Sequence, residues 1–392
     1  MTHAPAPRFR VPMVARSQTE PHRASSPLEL LFDLTFVVAI AQIAAELAHG
    51  IADGHAGEVL VPYLMVFFAI WWAWVTCTWF ASAYDTDDVP YRVLTMVQMA
   101  GVLTLAAGVP TAFAEGNFIM VVMGYVIMRI GLVAQWLRVA IEHPAGRATA
   151  LRYAGGIAVV QVGWLLRQLL PEGFGVASFA VLVAFELAVP IWAARKGEPS
   201  WHPHHIAERY GLFTIIVLGE SVFAATTGVQ AAVQNDGLSA ELVAISLSGL
   251  VLLFALWWLY FLEPAADGLA ARRHRAYFWG YGHYGVFASL AALGAGLEVA
   301  VEYSGHHLDV SALVVGFALA IPVALFLVLL WAIHAPVVEQ PVIRPAVILP
   351  AAALVLAMPL LTAQWGVGPE VIGIALVCVL VIALTIASRA KP

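Results

Sequence analysis

Apolar residues recur in long runs along almost the whole chain, and polar residues are confined to short stretches between the runs. Each run is about 20 residues long, which is the length that an α-helix needs to cross a lipid bilayer. The pattern predicts twelve transmembrane helices, at residues 27–49, 58–82, 90–113, 118–142, 149–170, 174–194, 208–230, 239–263, 276–300, 311–334, 344–363 and 368–388. We therefore expect an all-α, polytopic membrane protein without a soluble domain.

The composition agrees with this class. Hydrophobic residues make up 61% of the chain and charged residues 11%, whereas soluble domains carry roughly 25% charged residues. Both cysteines, Cys77 and Cys378, lie inside apolar runs, which argues against a disulfide framework or a thiolate metal site. We expect no cofactor, no metal and no nucleic-acid partner; the expected partners are the bilayer and an unidentified small solute or ion.

Basic residues outside the apolar runs lie almost entirely on one side of the predicted membrane. They occupy the N-terminal tail and the stretches reached after an even number of crossings, with Arg167 as the exception. By the positive-inside rule, residues 1–26 form a cytoplasmic tail and both termini are cytoplasmic. A bacterial plasma (inner) membrane is the expected location.

The two halves of the chain share features in the same order. The first and seventh runs each begin with a glutamate, and the second and eighth each contain paired tryptophans, Trp71-Trp72 and Trp257-Trp258. This order predicts two parallel six-helix repeats, residues 27–194 and 208–392, joined by a cytoplasmic hinge loop at 195–207. The hinge loop contains His202, His204 and His205, which we interpret as a solvated cluster rather than a zinc site.

Two stretches carry ionisable residues into apolar runs. One is Glu-Leu-Leu-Phe-Asp-Leu-Thr-Phe-Val at 29–37, and the other is Glu-Arg-Tyr-Gly-Leu-Phe-Thr-Ile-Ile-Val-Leu-Gly-Glu-Ser at 208–221. Together they resemble the motifs of the bacterial low temperature requirement protein A family, with Leu31, Thr35 and Tyr210 as slight departures. The resemblance implies a multi-pass membrane protein but no firm reaction or substrate. The first motif is also similar, over a short stretch, to a helix of the lysosomal potassium channel family.

Glu29 and Asp33 are four residues apart, so both lie on one face of the first helix. Asp33 would lie ~6 Å deeper in the membrane than Glu29. Two partly desolvated carboxylates so placed suit a proton or cation site. Alternatively, Glu29 caps the helix and pairs with a tail arginine, while Asp33 pairs with a buried basic residue.

The second motif places Glu220 twelve residues beyond Glu208, near the membrane centre and beside Ser221. A charged residue inside a membrane needs a partner or a function. Arg129, in the middle of the fourth run, could pair with Asp33, Glu186 or Glu220. His283 is a candidate proton relay or a packing residue.

These residues predict a substrate or ion pathway formed by Glu29, Asp33, Arg129, Glu186, Glu208, Glu220, Ser221 and His283. The leading hypothesis is a secondary transporter or an ion or proton pathway, and not an enzyme. One alternative is an intramembrane enzyme acting on a lipid or isoprenoid phosphate, with Asp85, Asp87 and Asp88 holding Mg²⁺. The other is a cold-adaptation scaffold or sensor in which the buried charges specify packing alone.

Overall fold

A computed structural model describes residues 9–18, 20, 23–305 and 308–389, and leaves out the side chains of residues 172, 236 and 363. Within these residues the regular structure is helical, and twelve helical spans are long and apolar enough to cross a membrane, as predicted. The α-helices are α1 (Pro27–Ala52), α2 (Ala56–Tyr84), α3 (Val89–Glu115), α4 (Ile119–Glu142), α5 (Arg147–Arg167), α6 (Gly175–Ala194), α7 (Pro203–Asp236), α8 (Ala240–Phe261), α9 (Ala266–Ala271), α10 (Ala276–Tyr303), α11 (Ala312–His334), α12 (Pro345–Ala357), α13 (Pro359–Trp365) and α14 (Val367–Arg389).

Packing divides the chain into two compact units. The first comprises Met1–Ala39 and Phe68–Ile206, and the second comprises Ile40–Phe67 and Ala207–Pro392. The division falls inside α1 and α2, so the end of α1 and the beginning of α2 belong to the second unit. The predicted six-helix repeats stay a prediction.

In the first unit, α3 and α4 pack at very close range. A β-carbon on Gly101 would collide with the backbone of α4, and one on Gly124 would collide with the backbone of α3. Small residues let membrane helices approach in this way. Gln98 and Gln135 hydrogen-bond across the same two helices at 3.0 Å, as expected for interhelical amides.

In the second unit, α7 and α10 run parallel. Tyr210 contacts His283 and Ser221 lies against Gly294, while a β-carbon on Gly228 would lie 3.3 Å from Val301. In each of these three contacts, the residue of α10 lies 73 positions after the residue of α7. A constant difference of this kind means that the two helices run in the same direction. Helix α10 also packs along α11, and α14 packs against α8.

The structure corrects two details of the sequence-based predictions. The eleventh predicted run is divided into α12 and α13 next to Pro359. The stretch 195–207 is not a fully exposed loop, since α7 begins at Pro203 and both His202 and His205 are buried.

Candidate functional site

Arg129 pairs with Glu186, one of its three predicted partners. The Nη2 of Arg129 on α4 lies 3.6 Å from Oε2 of Glu186 on α6, and both side chains are 2% exposed. Arg129 also donates to Thr76 at 2.6 Å and to the hydroxyl of Tyr125. Its guanidinium lies 4.4 Å from the centre of the Tyr125 ring. Four different interactions therefore fix this cation within the first unit.

Both carboxylate oxygens of Glu186 accept hydrogen bonds, whereas the buried Nε of Arg129 has no partner among the described residues. The Glu186 carboxylate accepts hydrogen bonds from Trp72 at 2.8 Å, Tyr125 at 2.8 Å and Trp164 at 3.1 Å. These donors come from α2, α4 and α5, so the acid joins three helices to α6. A buried ion pair with this many partners fixes the packing of its helices and leaves little capacity for a ligand.

Glu29 and Asp33 are also engaged. Ser26 and Glu29 form a capping box, in which Glu29 accepts from the backbone N–H of Ser26 at 2.8 Å and donates its own N–H to the Ser26 hydroxyl at 3.3 Å. His205 Nε2 lies 3.0 Å from Glu29 Oε1. Asp33, fully buried, accepts from Trp74 at 2.8 Å. Glu29 thus caps α1, and its charge also interacts with that of Arg23 in the described part of the tail.

Glu220 differs from these acids. It is 8% exposed, and no hydrogen-bond or ion-pair partner is found for it among the described residues. Its neighbour Ser221 is satisfied by backbone carbonyls, at 3.2 Å to Val217 and 3.5 Å to Leu290. The sequence-based choice of Glu220 therefore selects a buried acid that the described structure leaves unneutralised.

The sequence analysis missed Glu298, which lies on α10 one turn beyond Gly294. Because Gly294 packs against Ser221, Glu298 comes close enough to Glu220 for their charges to interact. Glu298 is half-buried and has no hydrogen-bond partner among the described residues. The sequence Gly-Ala-Gly at 294–296, just before Glu298, could have indicated that another helix packs closely at this point.

His283 is a fully buried and satisfied residue. Its Nδ1 donates to the carbonyl of Trp279 at 2.8 Å, which leaves Nε2 to accept from the hydroxyl of Tyr260 at 3.1 Å. His334, which the sequence analysis did not select, makes the same kind of contact, with Nδ1 2.9 Å from the carbonyl of Leu330. These contacts favour a packing role for His283.

Glu208 is exposed near the start of α7, in the second unit. The two other buried acids described in that unit have polar contacts. Glu263 accepts from the backbone N–H of Ile343 at 2.7 Å, and Glu370 accepts from the hydroxyl of Thr362. The absence of a polar partner therefore distinguishes Glu220 and Glu298 from these residues.

The aspartates that follow α2 bind arginines and backbone amides. Arg92 forms two hydrogen bonds of 2.8 Å with Asp87, and Arg138 donates to Asp88 at 2.8 Å. Asp85 accepts from the backbone N–H of Asp87 at 2.9 Å. No group of three or more potential metal-ligating side chains occurs in the described parts of the chain.

Asp85 and Asp88 are held in opposite electrostatic environments. Burial, reinforced by the negative charge of Glu29, raises the pKa of Asp85 to about 6 despite the opposing charges of Arg23 and Arg16. Burial also acts to raise the pKa of Asp88, but hydrogen bonds from Arg138 and two backbone amides lower it to about 2.

The described part of the N-terminal tail is bound to the first unit. The backbone N–H of Val11 donates to Asp88 at 2.8 Å, and that of Met13 donates to Glu142 at 2.7 Å. The side chain of Met13 is fully buried. Residues 1–8, 19, 21 and 22 of the predicted tail lie outside the described residues.

The chain is similar to proteins of one bacterial membrane family. It is 25% identical over 307 residues to an uncharacterized protein of Rhizobium meliloti (strain 1021), an alignment that covers 74% of this chain and 72% of that protein. The sequence profile of the bacterial low temperature requirement A protein (LtrA) family matches residues 24–386. With a match over nearly its whole length, and with both charged motifs in place, the chain belongs to the LtrA family.

Proposed function

We propose that this LtrA protein is a secondary transporter or ion pathway in which protons pass through Glu220 and Glu298. The observation that carries the proposal is that these carboxylates, on α7 and α10, lie close enough for their charges to interact, and that neither has a hydrogen-bond or ion-pair partner among the described residues. Ionisable residues inside a membrane are costly and are retained for a function by default. Neighbouring carboxylates without a counter-ion either share a proton or hold a cation.

A proton suits the pair better than a larger cation. Cations that bind carboxylates, such as Ca²⁺, take six to eight oxygen ligands. The nearby Ser221 hydroxyl already donates to the backbone carbonyls of Val217 and Leu290, at 3.2 Å and 3.5 Å. A proton needs only the two carboxylates.

Further ionisable groups extend from this pair toward the end of α10. Glu298 interacts electrostatically with His49 and with Glu302, and His49 interacts with Glu46. Glu302 and His49 are exposed, so they give the pair a connection toward the surface of the second unit. Charged groups spaced along a membrane helix in this way are typical of proton relays.

The other candidate residues support the pathway indirectly in this proposal. Arg129 and Glu186 fix the first unit, Glu29 caps α1, and His283 supports packing of α10. We further propose that both termini are cytoplasmic and that the protein resides in the bacterial plasma membrane, on the distribution of Lys and Arg. We do not propose an enzyme, because the aspartates suggested for Mg²⁺ are engaged by arginines and backbone amides.

The test is proton flux into proteoliposomes under an imposed pH gradient. We expect the wild-type protein to accelerate flux over protein-free liposomes, and Glu220→Gln and Glu298→Gln each to reduce that flux at least tenfold. Glu339→Gln is the matched control, since Glu339 is an exposed acid of the same unit. If liposomes with the wild-type protein take up protons no faster than protein-free liposomes, the proposed function is contradicted. If both variants have the wild-type flux, the residue assignment is contradicted.

A further inference from the structure

A long apolar groove lies in the second unit. Its volume is about 390 Å³, and its walls come from the end of α1, the start of α2, α10 and α11. Along α11 it extends from Leu313 to Leu329, which at 1.5 Å per residue is ~24 Å. The groove is therefore long enough for an acyl chain, which spans half of a hydrocarbon core about 30 Å thick.

The polar side chains that border the groove are bonded to backbone carbonyls. Tyr63 on α2 donates to Ala288 on α10 at 2.6 Å, and Tyr284 on α10 donates back to Leu64 on α2 at 2.8 Å. Ser289 donates to Gly285 of its own helix at 2.7 Å. With these hydroxyls occupied, the groove presents hydrocarbon to any ligand and suits an apolar chain rather than a polar solute.

The groove opens sideways within membrane-spanning helices. Leu60 is 48% exposed, Ile321 is 45% exposed and Leu325 is 48% exposed, although all three line it. These side chains lie inside the spans of α2 and α11, so a lipid chain can enter from the bilayer without crossing a polar layer.

Carboxylates mark one end of the groove. The loops before α2 and before α11 meet there, since a β-carbon on Gly54 would lie 4.0 Å from Val310. These loops carry Asp53 and Asp309, both exposed, and residues 53–58 and 302–311 contain no lysine or arginine. This charge is complementary to an ammonium headgroup and repels an anionic one.

We propose that the groove binds one acyl chain of a phospholipid with an ammonium headgroup, such as phosphatidylethanolamine, and that Asp53 and Asp309 lie at its headgroup end. The chain fills the space between α2, α10 and α11. The carboxylates select the headgroup. This site lies apart from Glu220 and does not depend on proton transport.

The test uses the full-length protein reconstituted at pH 8 in vesicles of equal parts phosphatidylethanolamine and phosphatidylglycerol. The protein is then extracted in detergent, and the lipid retained per protein is measured by mass spectrometry. Ala292→Phe and Val314→Trp fill the groove from opposite walls, so a folding defect in one does not decide the result. Ala353→Phe adds the same ring at an exposed position of α12 outside the groove.

We expect the wild-type protein to retain phosphatidylethanolamine at least threefold over phosphatidylglycerol. Both groove-filling variants should lose at least two thirds of the retained lipid, while Ala353→Phe keeps it. The double variant Asp53→Asn, Asp309→Asn should retain lipid but lose the headgroup preference. Absence of retained lipid, enrichment of phosphatidylglycerol, equal loss in Ala353→Phe, or lipid that neither groove-filling variant displaces would overturn the proposal.

Discussion

At the scale of single residues, the buried ionic groups of this chain fall into two kinds. Arg129 and Glu186 are surrounded by donors and acceptors from several helices, whereas no polar partner is found for Glu220 among the described residues. The first kind maintains the structure, because removing one partner leaves an uncompensated charge in the membrane. The second kind lacks a described counter-ion that would hold it ionised.

We predict that Glu186→Ala lowers the stability of the protein by about 3–5 kcal/mol, the usual effect of breaking a buried ion pair. The loss arises because Arg129 keeps its charge without its acid. Thermal unfolding in detergent measures the effect. The double variant Arg129→Met, Glu186→Leu should be more stable than the single variant, since it removes both charges. A Glu186→Ala protein with unchanged stability but no flux would instead assign the pair to the pathway.

The second residue-scale prediction concerns Asp85, whose pKa is raised to about 6 in the folded protein. Because the unfolded chain titrates near pH 4, the stability contributed by the protonated carboxyl is complete below pH 4 and is lost as the pH rises through 6. Asp85→Asn imitates the protonated form and should raise the melting temperature at pH 8 but not at pH 4. The free-energy gain is at most about 2–3 kcal/mol.

The matched control for Asp85 is Asp87→Asn, which alters an exposed carboxylate in the same loop. Asparagine also tolerates the positive φ of 48° at this position. A gain for Asp85→Asn of equal size at both pH values would show that titration of Asp85 is not its cause.

Sequence reasoning identified several important residues but could not assign their partners. A charge in an apolar run marks Asp33, Arg129 and Glu220 directly. The choice of Glu186 over Asp33 for Arg129 depends on how α4 and α6 face each other, which no local pattern encodes. Glu298 was not predicted because it comes near Glu220 only through the packing of α7 against α10, and nothing within α10 indicates that contact.

At the scale of elements, close helix packing depends on a few glycines. Gly296 on α10 faces the carbonyl of Ala318 on α11, and a β-carbon at Gly296 would collide with it. That carbonyl lacks its usual helical donor because residue 322 is proline and has no N–H. The proline and the glycine thus combine to place the two helices in backbone contact.

We predict that Gly296→Val lowers stability by about 1–3 kcal/mol, the usual cost of overpacking, because the backbone of α11 must move away. Gly219→Val is the control, since open space surrounds Gly219. Thermal unfolding of both variants measures the difference. Equal melting temperatures for the two variants would contradict the proposed contact.

The existence and approximate bounds of the twelve spans could be predicted because length and hydrophobicity alone define a membrane helix. The division of the eleventh run into α12 and α13 was not predicted, although Pro359 was visible, because prolines are tolerated within membrane helices elsewhere in the chain, as at Pro62 and Pro322. The burial of His202 and His205 comes from tertiary packing and has no sequence pattern of its own.

At the scale of the whole molecule, the distribution of basic residues predicts the orientation. After replacement of Cys77 and Cys378, a single cysteine at Glu115 should react with a membrane-impermeant maleimide in intact cells. A single cysteine at Lys196 should react only after permeabilisation. Both positions are exposed, so access to the reagent depends on the side of the membrane. The reverse pattern would place the termini outside the cell.

The division into two units was only partly visible in the sequence. The boundary between the two units, after Ile206, falls within the predicted hinge at 195–207. The assignment of Ile40–Phe67 to the second unit depends on long-range packing of α1 and α2, such as the contacts of Tyr63 and Tyr284, and no local signal marks it.

The central claim is that Glu220 and Glu298 serve one proton path, and a double-variant cycle of proton flux tests it most directly. If the two carboxylates act in series, the variant that combines Glu220→Gln with Glu298→Gln should have the same residual flux as either single variant. The claim would be contradicted if the residual flux of the double variant, as a fraction of wild type, equalled the product of the two single-variant fractions. Wild-type flux in both single variants would also contradict it.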